Sequence, residues 1–130
     1  MTDEPLTTIS TGDAPAARGH YSQAVVHNDT VYVAGQLPID PATGEKCLGS
    51  IEAQTGQVLK NLAAILDAAG SGLDRVLKVT LYVSDISLWG GVNTVYAEFF
   101  GDHRPARAVV PTRELHHGFL IEVEAIAATN

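Results

Sequence analysis

Arg107 is the residue whose type and surroundings most directly suggest binding chemistry. It lies in a short β-rich run, between Pro105-Ala106 and Ala108-Val109-Val110. An unpaired charge is costly to bury, so a guanidinium among small and apolar neighbours needs an anionic partner. Its planar fork fits a carboxylate through two parallel hydrogen bonds. From these residues alone, a structural salt bridge to Glu122 or Glu124 is the favoured interpretation, and a substrate carboxylate is the alternative.

Two carboxylates near the end of the chain are candidates for acid–base chemistry. Glu122 and Glu124 are spaced i, i+2 in a run whose other face is apolar, so both project from the same side of a strand. Repulsion between them can raise the pKa of one, which suits a general acid or base. Taken alone, a solvated or interface surface of the last strand is the simpler interpretation.

Metal and cofactor chemistry find little support in the sequence. The histidines lack the spacing of a zinc site, and adjacent His116 and His117 would point opposite ways in a strand, so no metal is predicted. Cys47 has no nearby base. Nucleotide-binding glycine motifs are absent, so no cofactor is expected. Gly35, at the end of a β-rich run, permits close approach of another group to the backbone.

Length and composition predict a single domain over residues 1–130. The chain has 130 residues, of which 45% are hydrophobic and 18% charged, which is typical of a globular protein with its own core. A single cysteine cannot form an internal disulfide. The first eleven residues contain Asp3 and Glu4 and no apolar run, and no stretch is long enough to span a membrane. A cytoplasmic location is therefore the default expectation.

The charge balance disfavours nucleic acid as a partner. The formal net charge is −7, and the only local enrichment of cations is Arg104, Arg107 and Arg113. Binding to a polyanion requires clustered Lys and Arg, and the overall field would repel one. A small anionic substrate needs only one well-placed cation, so it remains compatible with this composition.

Alternation of apolar residues predicts most of the strands. Residues 24–27 and 30–34 flank Asn28-Asp29 and predict a hairpin. Residues 75–83 alternate, with Leu77, Val79, Leu81 and Val83 expected on one face. Two further strands are predicted over 106–110 and 119–127, and an additional one near Thr8.

Two helices separate these strands. The first follows Ser50 as its N-cap, has apolar residues at helical spacing, and ends at Gly70. The second is expected to be capped by Ser87 and ended by Gly101, with Gly90 and Gly91 weakening its first turn by about 1 kcal/mol each. The order, approximately β-β-α-β-α-β-β, predicts an α+β fold in which two helices cover one face of a mixed sheet. The half-apolar open face predicts self-association.

Taken together, these residues resemble the Rid (reactive intermediate deaminase, or YjgF) family over nearly the whole chain. The C-terminal block carries the most specific match, because Arg107 and Glu122 stand fifteen residues apart in it. The matching residues are Ala14-Pro15-Ala16, Gly19 to Ala24, Val33 to Pro38, Thr43-Gly44-Glu45, Gln54, Val58, Asn61, Leu62, Ala68-Ala69-Gly70, Lys78-Val79-Thr80, Val83, Asp85, Val92-Asn93, Tyr96, Phe99-Phe100, Pro105 to Ala108 and Leu120 to Ala127.

The resemblance implies a chorismate-mutase-like α+β fold, a homotrimer, and active sites in the clefts between subunits. It implies hydrolysis of enamine/imine intermediates, such as 2-aminoacrylate/2-iminopropanoate, to 2-keto acids and ammonia without a cofactor. Arg107 would bind the substrate carboxylate and Glu122 would activate water. Tyr21, Asn93 and Gly35 would line the pocket, and the backbone of Val109 would accept a hydrogen bond from the imine nitrogen.

Three positions depart from the family pattern and bear on the choice of substrate. His20 precedes the tyrosine where proline is frequent, Ala34 replaces a serine, and Val109 replaces a cysteine. Two alternatives therefore stay open. One is a deaminase of another catabolic substrate, of the 2-aminomuconate type, and the other is a trimer that binds keto acids without turnover. The presence of both Arg107 and Glu122 favours catalysis, because binding alone would not need the second carboxylate.

Overall fold

The computed structural model describes residues 5–130, and these form one six-stranded sheet with two α-helices. Asp3 and Glu4, which contribute to the expectation of a cytoplasmic location, lie outside the described residues. The strands are β1 (Thr7–Ile9), β2 (Ala24–His27), β3 (Thr30–Gln36), β4 (Val76–Val83), β5 (Ala106–Pro111) and β6 (Ile121–Ala128). The helices are α1 (Ile51–Ala68) and α2 (Trp89–Phe100). This confirms the α+β prediction, including the additional strand near Thr8.

The sheet order is β1-β2-β3-β6-β4-β5. Only β4 and β5 run parallel, and the other neighbours are antiparallel. The last strand, β6, therefore lies in the middle of the sheet, between β3 and β4, while β5 with Arg107 lies at an edge. An edge strand leaves one row of backbone N–H and C=O groups free for another partner.

Both helices begin and end for identifiable reasons. Ser50 caps α1 through its hydroxyl, which accepts a hydrogen bond from the Ala53 amide at 3.1 Å. Gly70 follows α1 with a φ of 75°, a left-handed conformation that glycine adopts without a steric cost. The predicted Ser87 cap of α2 is wrong. Ser87 lies inside a short 3₁₀ turn, and Asp85 caps that turn by accepting from the Ser87 amide at 2.8 Å.

Gly91 has a packing role that outweighs its low helix propensity. A Cβ atom at this position would stand 2.6 Å from Cγ2 of Ile51, so only glycine permits this approach of α2 to α1. The contact matters for the site, because α2 carries residues that surround Arg107.

The core lies between the helices and one face of the sheet. Its members from β6 alternate along the strand, as predicted: Ile121, Val123 and Ala127 are fully or almost fully buried, and Phe119 precedes them. The prediction for Leu77 is wrong, because its side chain is 51% exposed. The register between β4 and β6 shifts between Val76 and Lys78, so Val76 takes the buried position instead.

Candidate active site

The six predicted site residues fall into two separate groups within the chain. The arginine half-site contains Arg107 and Asn93, with Val109 two residues further along β5. The glutamate half-site contains Glu122, Gly35 and Tyr21. Each group has its own concave surface, one a groove of about 490 Å³ beside Arg107 and the other a cleft of about 800 Å³ that is lined in part by Tyr21 and Gly35.

Helix α2 holds the Arg107 guanidinium in the arginine half-site. Asn93 accepts a hydrogen bond from Nη1 of Arg107 at 3.1 Å. The guanidinium carbon lies 4.6 Å from the ring centroid of Trp89 and 4.7 Å from that of Tyr96, within cation–π range of both. Residues 89, 93 and 96 lie on one face of the helix, since their spacing of four and three residues is close to one turn each.

These contacts replace the structural ion pair that the sequence favoured. The carboxylate of Glu124 accepts a hydrogen bond from the Tyr82 hydroxyl at 2.7 Å, and the described contacts of Arg107 are all with α2. Neutral partners orient the guanidinium without cancelling its charge. Its remaining N–H donors can therefore bind a carboxylate.

Tyr96 adds a second polar group to the arginine half-site. Its side chain is only 6% exposed, and its hydroxyl is buried with no hydrogen-bond partner among the residues described. Burial raises the pKa of the Tyr96 hydroxyl, and the adjacent Arg107 charge opposes that rise. A buried, unpaired donor beside a guanidinium is unusual in a protein interior, and it is consistent with a site that pairs with a ligand.

In the glutamate half-site, Gly35 makes room for Glu122. The register of β3 against β6 shifts between Val33 and Gln36, and Gly35 lies in that irregular segment. A Cβ atom at Gly35 would collide with Oε2 of Glu122 and stand 3.2 Å from its carboxyl carbon. Gly35, which the sequence predicts to permit close approach of another group, is therefore approached by the Glu122 carboxyl group itself.

Glu122 is the carboxyl group whose environment is most suited to acid–base chemistry. Burial raises the pKa of Glu122 above its ordinary value. The charge of His116 lowers it to a smaller extent, and the charge of Glu124 raises it further. The sequence-based prediction that one of the two carboxyl groups has a raised pKa has the correct direction for Glu122. Its stated cause, repulsion between Glu122 and Glu124, is the smaller one, because burial of the carboxyl group raises the pKa more.

The cleft beside Glu122 is bordered by two hydrogen-bonded loops and a histidine turn. Tyr21 is 53% exposed, its ring covers Gly19, and its hydroxyl accepts from the Arg18 amide at 3.4 Å. His116 and His117 occupy a 3₁₀ turn rather than a strand, with ring centroids 6.0 Å apart. The reasoning that they point apart as strand neighbours is therefore wrong. Among residues 5–130, no group of three or more His, Cys, Asp or Glu side chains could hold a metal ion.

Arg107 and Glu122 project from opposite faces of the sheet. Arg107 is paired with Val79, whose side chain is fully buried under the helices. Glu122 is paired with Tyr82 on the open face. Laterally paired residues in a sheet point to the same side, so the two predicted catalytic groups of one chain cannot meet across the sheet.

Two residues of the site were missed from the sequence. The sequence patterns described above do not single out Trp89, and they include Tyr96 only among the residues that match the family. Their helical spacing with Asn93 places all three on one face, and this pattern could have been read from the sequence. The sequence could not show which strand this face of α2 would contact, because that contact depends on how α2 packs against the sheet.

Comparison with known proteins identifies the family. Residues 11–129 match the family model described as endoribonuclease L-PSP. A RutC family protein of Pyrococcus horikoshii is 50% identical over 119 residues, which are 92% of this chain and 94% of that protein. The chain belongs to the YjgF/Rid family. This confirms the resemblance found in the sequence, and the match covers both half-sites.

Further relatives have more specific names. The rat protein named 2-iminobutanoate/2-iminopropanoate deaminase is 45% identical over 92% of this chain and 87% of its own length. The solved structure of RidA from the Antarctic bacterium Psychrobacter superposes with a TM-score of 0.90 at 42% identity, covering 94% of this chain and 98% of that one. The fold predicted from the family resemblance is thereby confirmed. The superposition shows that the two chains share a fold. The deaminase name is that of the rat protein.

Proposed function

We propose that this protein hydrolyses reactive enamine/imine intermediates, of the 2-aminoacrylate/2-iminopropanoate type, to 2-keto acids and ammonia. The observation that carries the proposal is that the chain presents both an oriented guanidinium, Arg107, whose charge no neighbouring group cancels, and a carboxyl group, Glu122, whose pKa is raised. The family membership supports it, because mammalian relatives have the name of such a deaminase. We further propose that it acts in the cytoplasm. No helix among residues 5–130 is long and apolar enough to cross a membrane.

The proposed reaction divides the work between the two half-sites. Arg107 binds the substrate carboxylate through its free N–H donors and so positions the imine carbon. Glu122 accepts a proton from water as the water oxygen bonds to that carbon and the C=N π electrons move to nitrogen. Glu122 then returns that proton to nitrogen, which gives a carbinolamine. It next takes the hydroxyl proton and passes it to the amino nitrogen, so that the C=O bond forms as the C–N bond breaks and ammonia leaves. General base action of this kind contributes about 10²- to 10⁴-fold.

Asn93, Tyr21, Gly35 and Val109 have supporting roles in this proposal. Asn93 already holds the guanidinium, and Tyr21 borders the cleft in which water and substrate would meet. Val109 would contribute its backbone carbonyl to the imine nitrogen, because β5 is an edge strand with one free row of backbone groups. A valine in this position provides no thiol, so no covalent step is assigned to it.

We propose that the complete active site is formed between subunits of a homotrimer. The opposed projection of Arg107 and Glu122 supports this, because a second chain must supply the missing group to each half-site. The open sheet face supports it too, since it exposes Tyr32 and Val110, with exposed fractions of 48% and 37%. A neighbouring subunit packed on this face would cover both side chains.

The assembly is tested by mass. We expect light scattering coupled to size exclusion to give three times the chain mass of 13.7 kDa at micromolar concentration. A single-chain mass over the concentration range in which the enzyme is active would refute both the trimer and the shared site.

The activity is tested by generating the imine in place. A serine or threonine dehydratase would release the intermediate, and its decay would be followed with and without this protein by trapping the remaining imine with semicarbazide. We expect faster decay and a matching release of keto acid and ammonia. Unchanged decay together with saturable binding of the keto acid would instead support a binding protein.

The endoribonuclease description of the family is not the function we propose for this chain. The net charge of −7 opposes binding of a polyanion. The groove beside Arg107 contains only one further arginine, Arg104.

A further inference from the structure

The cleft of the glutamate half-site is much larger than a small imino acid requires. Its volume of about 800 Å³ falls in the range of pockets that enclose ligands of drug size. A three- or four-carbon imine held at Glu122 would occupy only part of this volume, which is that of the single chain before a neighbouring subunit borders it. The lining of the remaining part therefore bears on which substrate the site accepts.

Cations from two different loops line this cleft. The chain has only eight Lys and Arg residues against fifteen Asp and Glu, yet Arg18 and Lys46 both border it. His116 and His117 add two imidazoles as further hydrogen-bond donors or acceptors. Asp40 is the one acidic side chain in the lining, and its Oδ1 atom already accepts from the Ala42 amide at 2.9 Å. Glu122 lies beside Gly35, which is also part of the lining, so one carboxyl group and two cations border the same cleft.

Each of the two cation-bearing loops is fastened by a buried amide side chain. Gln23 is 3% exposed, donates to the carbonyls of Thr11 and Pro15, and accepts from the Thr11 amide, which fixes the loop that leads to Arg18. Asn61 is 1% exposed and donates from α1 to the carbonyls of Leu37 and Ile39.

The loop that carries Lys46 is also closed on itself. The Cys47 amide donates to the Pro38 carbonyl at 2.8 Å, and Ile39 forms an isolated bridge with Lys46. Both cations are exposed, but they extend from loops that are held by partly buried hydrogen bonds to Gln23 and Asn61. This distinguishes them from charges on free surface loops.

We infer that the substrate has a second carboxylate, separated by several carbons from its imine, and that Arg18 and Lys46 bind it. This inference rests on the proposed function and narrows its substrate to dicarboxylic 2-imino acids. Arg107 of a neighbouring subunit would hold the carboxylate next to the imine, and Arg18 and Lys46 the distal one.

The test compares two imines of equal chain length, 2-iminoglutarate and 2-iminopentanoate, formed from glutamate and norvaline by amino-acid oxidases. We expect a higher kcat/KM for the dicarboxylic imine. In the double variant R18Q/K46Q, the ratio of the two kcat/KM values should fall about five- to tenfold, since each exposed ion pair contributes up to about fivefold. The matched control R75Q/K60Q makes the same change of charge outside the cleft and should leave the ratio unchanged.

The outcomes separate this inference from the function on which it rests. If both imines are hydrolysed and the ratio is the same in R18Q/K46Q, the distal-carboxylate site is refuted and the deaminase activity stands. If neither imine is hydrolysed, binding of 2-oxoglutarate and 2-oxopentanoate is measured by calorimetry. The distal-carboxylate site would then be supported if R18Q/K46Q binds 2-oxoglutarate more weakly than the wild type does while its binding of 2-oxopentanoate is unchanged. It would be overturned if the wild type binds the two acids equally well.

Discussion

Replacing Arg107 with alanine is expected to lower kcat/KM for imine hydrolysis by about two orders of magnitude or more. The reason is that Arg107 and the substrate carboxylate form a desolvated, hydrogen-bonded charge pair, and removing one partner of such a pair costs roughly 2–5 kcal/mol. The trimer and the fold should persist. Arg107 lies on an edge strand, and its contacts with Trp89 and Tyr96 contribute only about 0.5–1 kcal/mol each at an exposed position. The measurement is the steady-state rate in the dehydratase-coupled assay, together with the mass in solution and the melting temperature.

Two further variants distinguish substrate anchoring from a general effect of charge. Arg107→Lys keeps the positive charge but loses the planar fork, so its rate should lie between those of the wild type and Arg107→Ala. Arg113→Ala removes an arginine close by in the sequence that has no place in either half-site, and it should retain wild-type activity. Full activity in Arg107→Ala would rule out the proposed mechanism.

Replacing Glu122 with glutamine is expected to abolish most of the activity without loss of stability. The amide has nearly the shape of the carboxylate and still fits against Gly35, but it cannot accept the proton from water. The expected loss in kcat is about 10²- to 10⁴-fold. Because burial raises the folded-state pKa of Glu122, its ionised form is disfavoured in the folded protein, and that cost arises as the pH rises through the raised pKa. Glu122→Gln should therefore melt at a temperature equal to or higher than the wild type at pH 7.

The pH dependence gives an independent check on Glu122. A base with a raised pKa loses activity at low pH, with the acid limb of kcat/KM above the ordinary carboxyl range. Glu124→Gln is the matched control, since it removes the neighbouring carboxylate while its amide oxygen can still accept from Tyr82. It should retain activity and move the acid limb to lower pH, because the Glu124 charge raises the pKa of Glu122. An acid limb unmoved by Glu124→Gln and still present in Glu122→Gln would assign that titration to another group.

Local patterns predicted the elements and the chemical types of the site well. The alternation in 119–127 gave the correct buried face of β6, because the side-chain period of a strand is two regardless of its neighbours. Ser50 and Gly70 marked the ends of α1 because capping depends on a few adjacent residues. The prediction failed at Leu77, where a register shift between β4 and β6 changed the buried position. Such a shift is set by the partner strand, which lies more than forty residues away in the sequence.

The sequence by itself determined the family, the α+β class and the residues that bear the candidate chemistry, because those depend on residue type and local spacing. The tertiary structure alone decided how they are grouped. It put Arg107 against two aromatic rings of α2, placed Glu122 on the opposite face against Gly35, and brought Arg18 and Lys46 to one cleft from separate loops. These relations depend on strand order, register and helix packing. They are contacts between segments far apart in the chain, which no local pattern specifies.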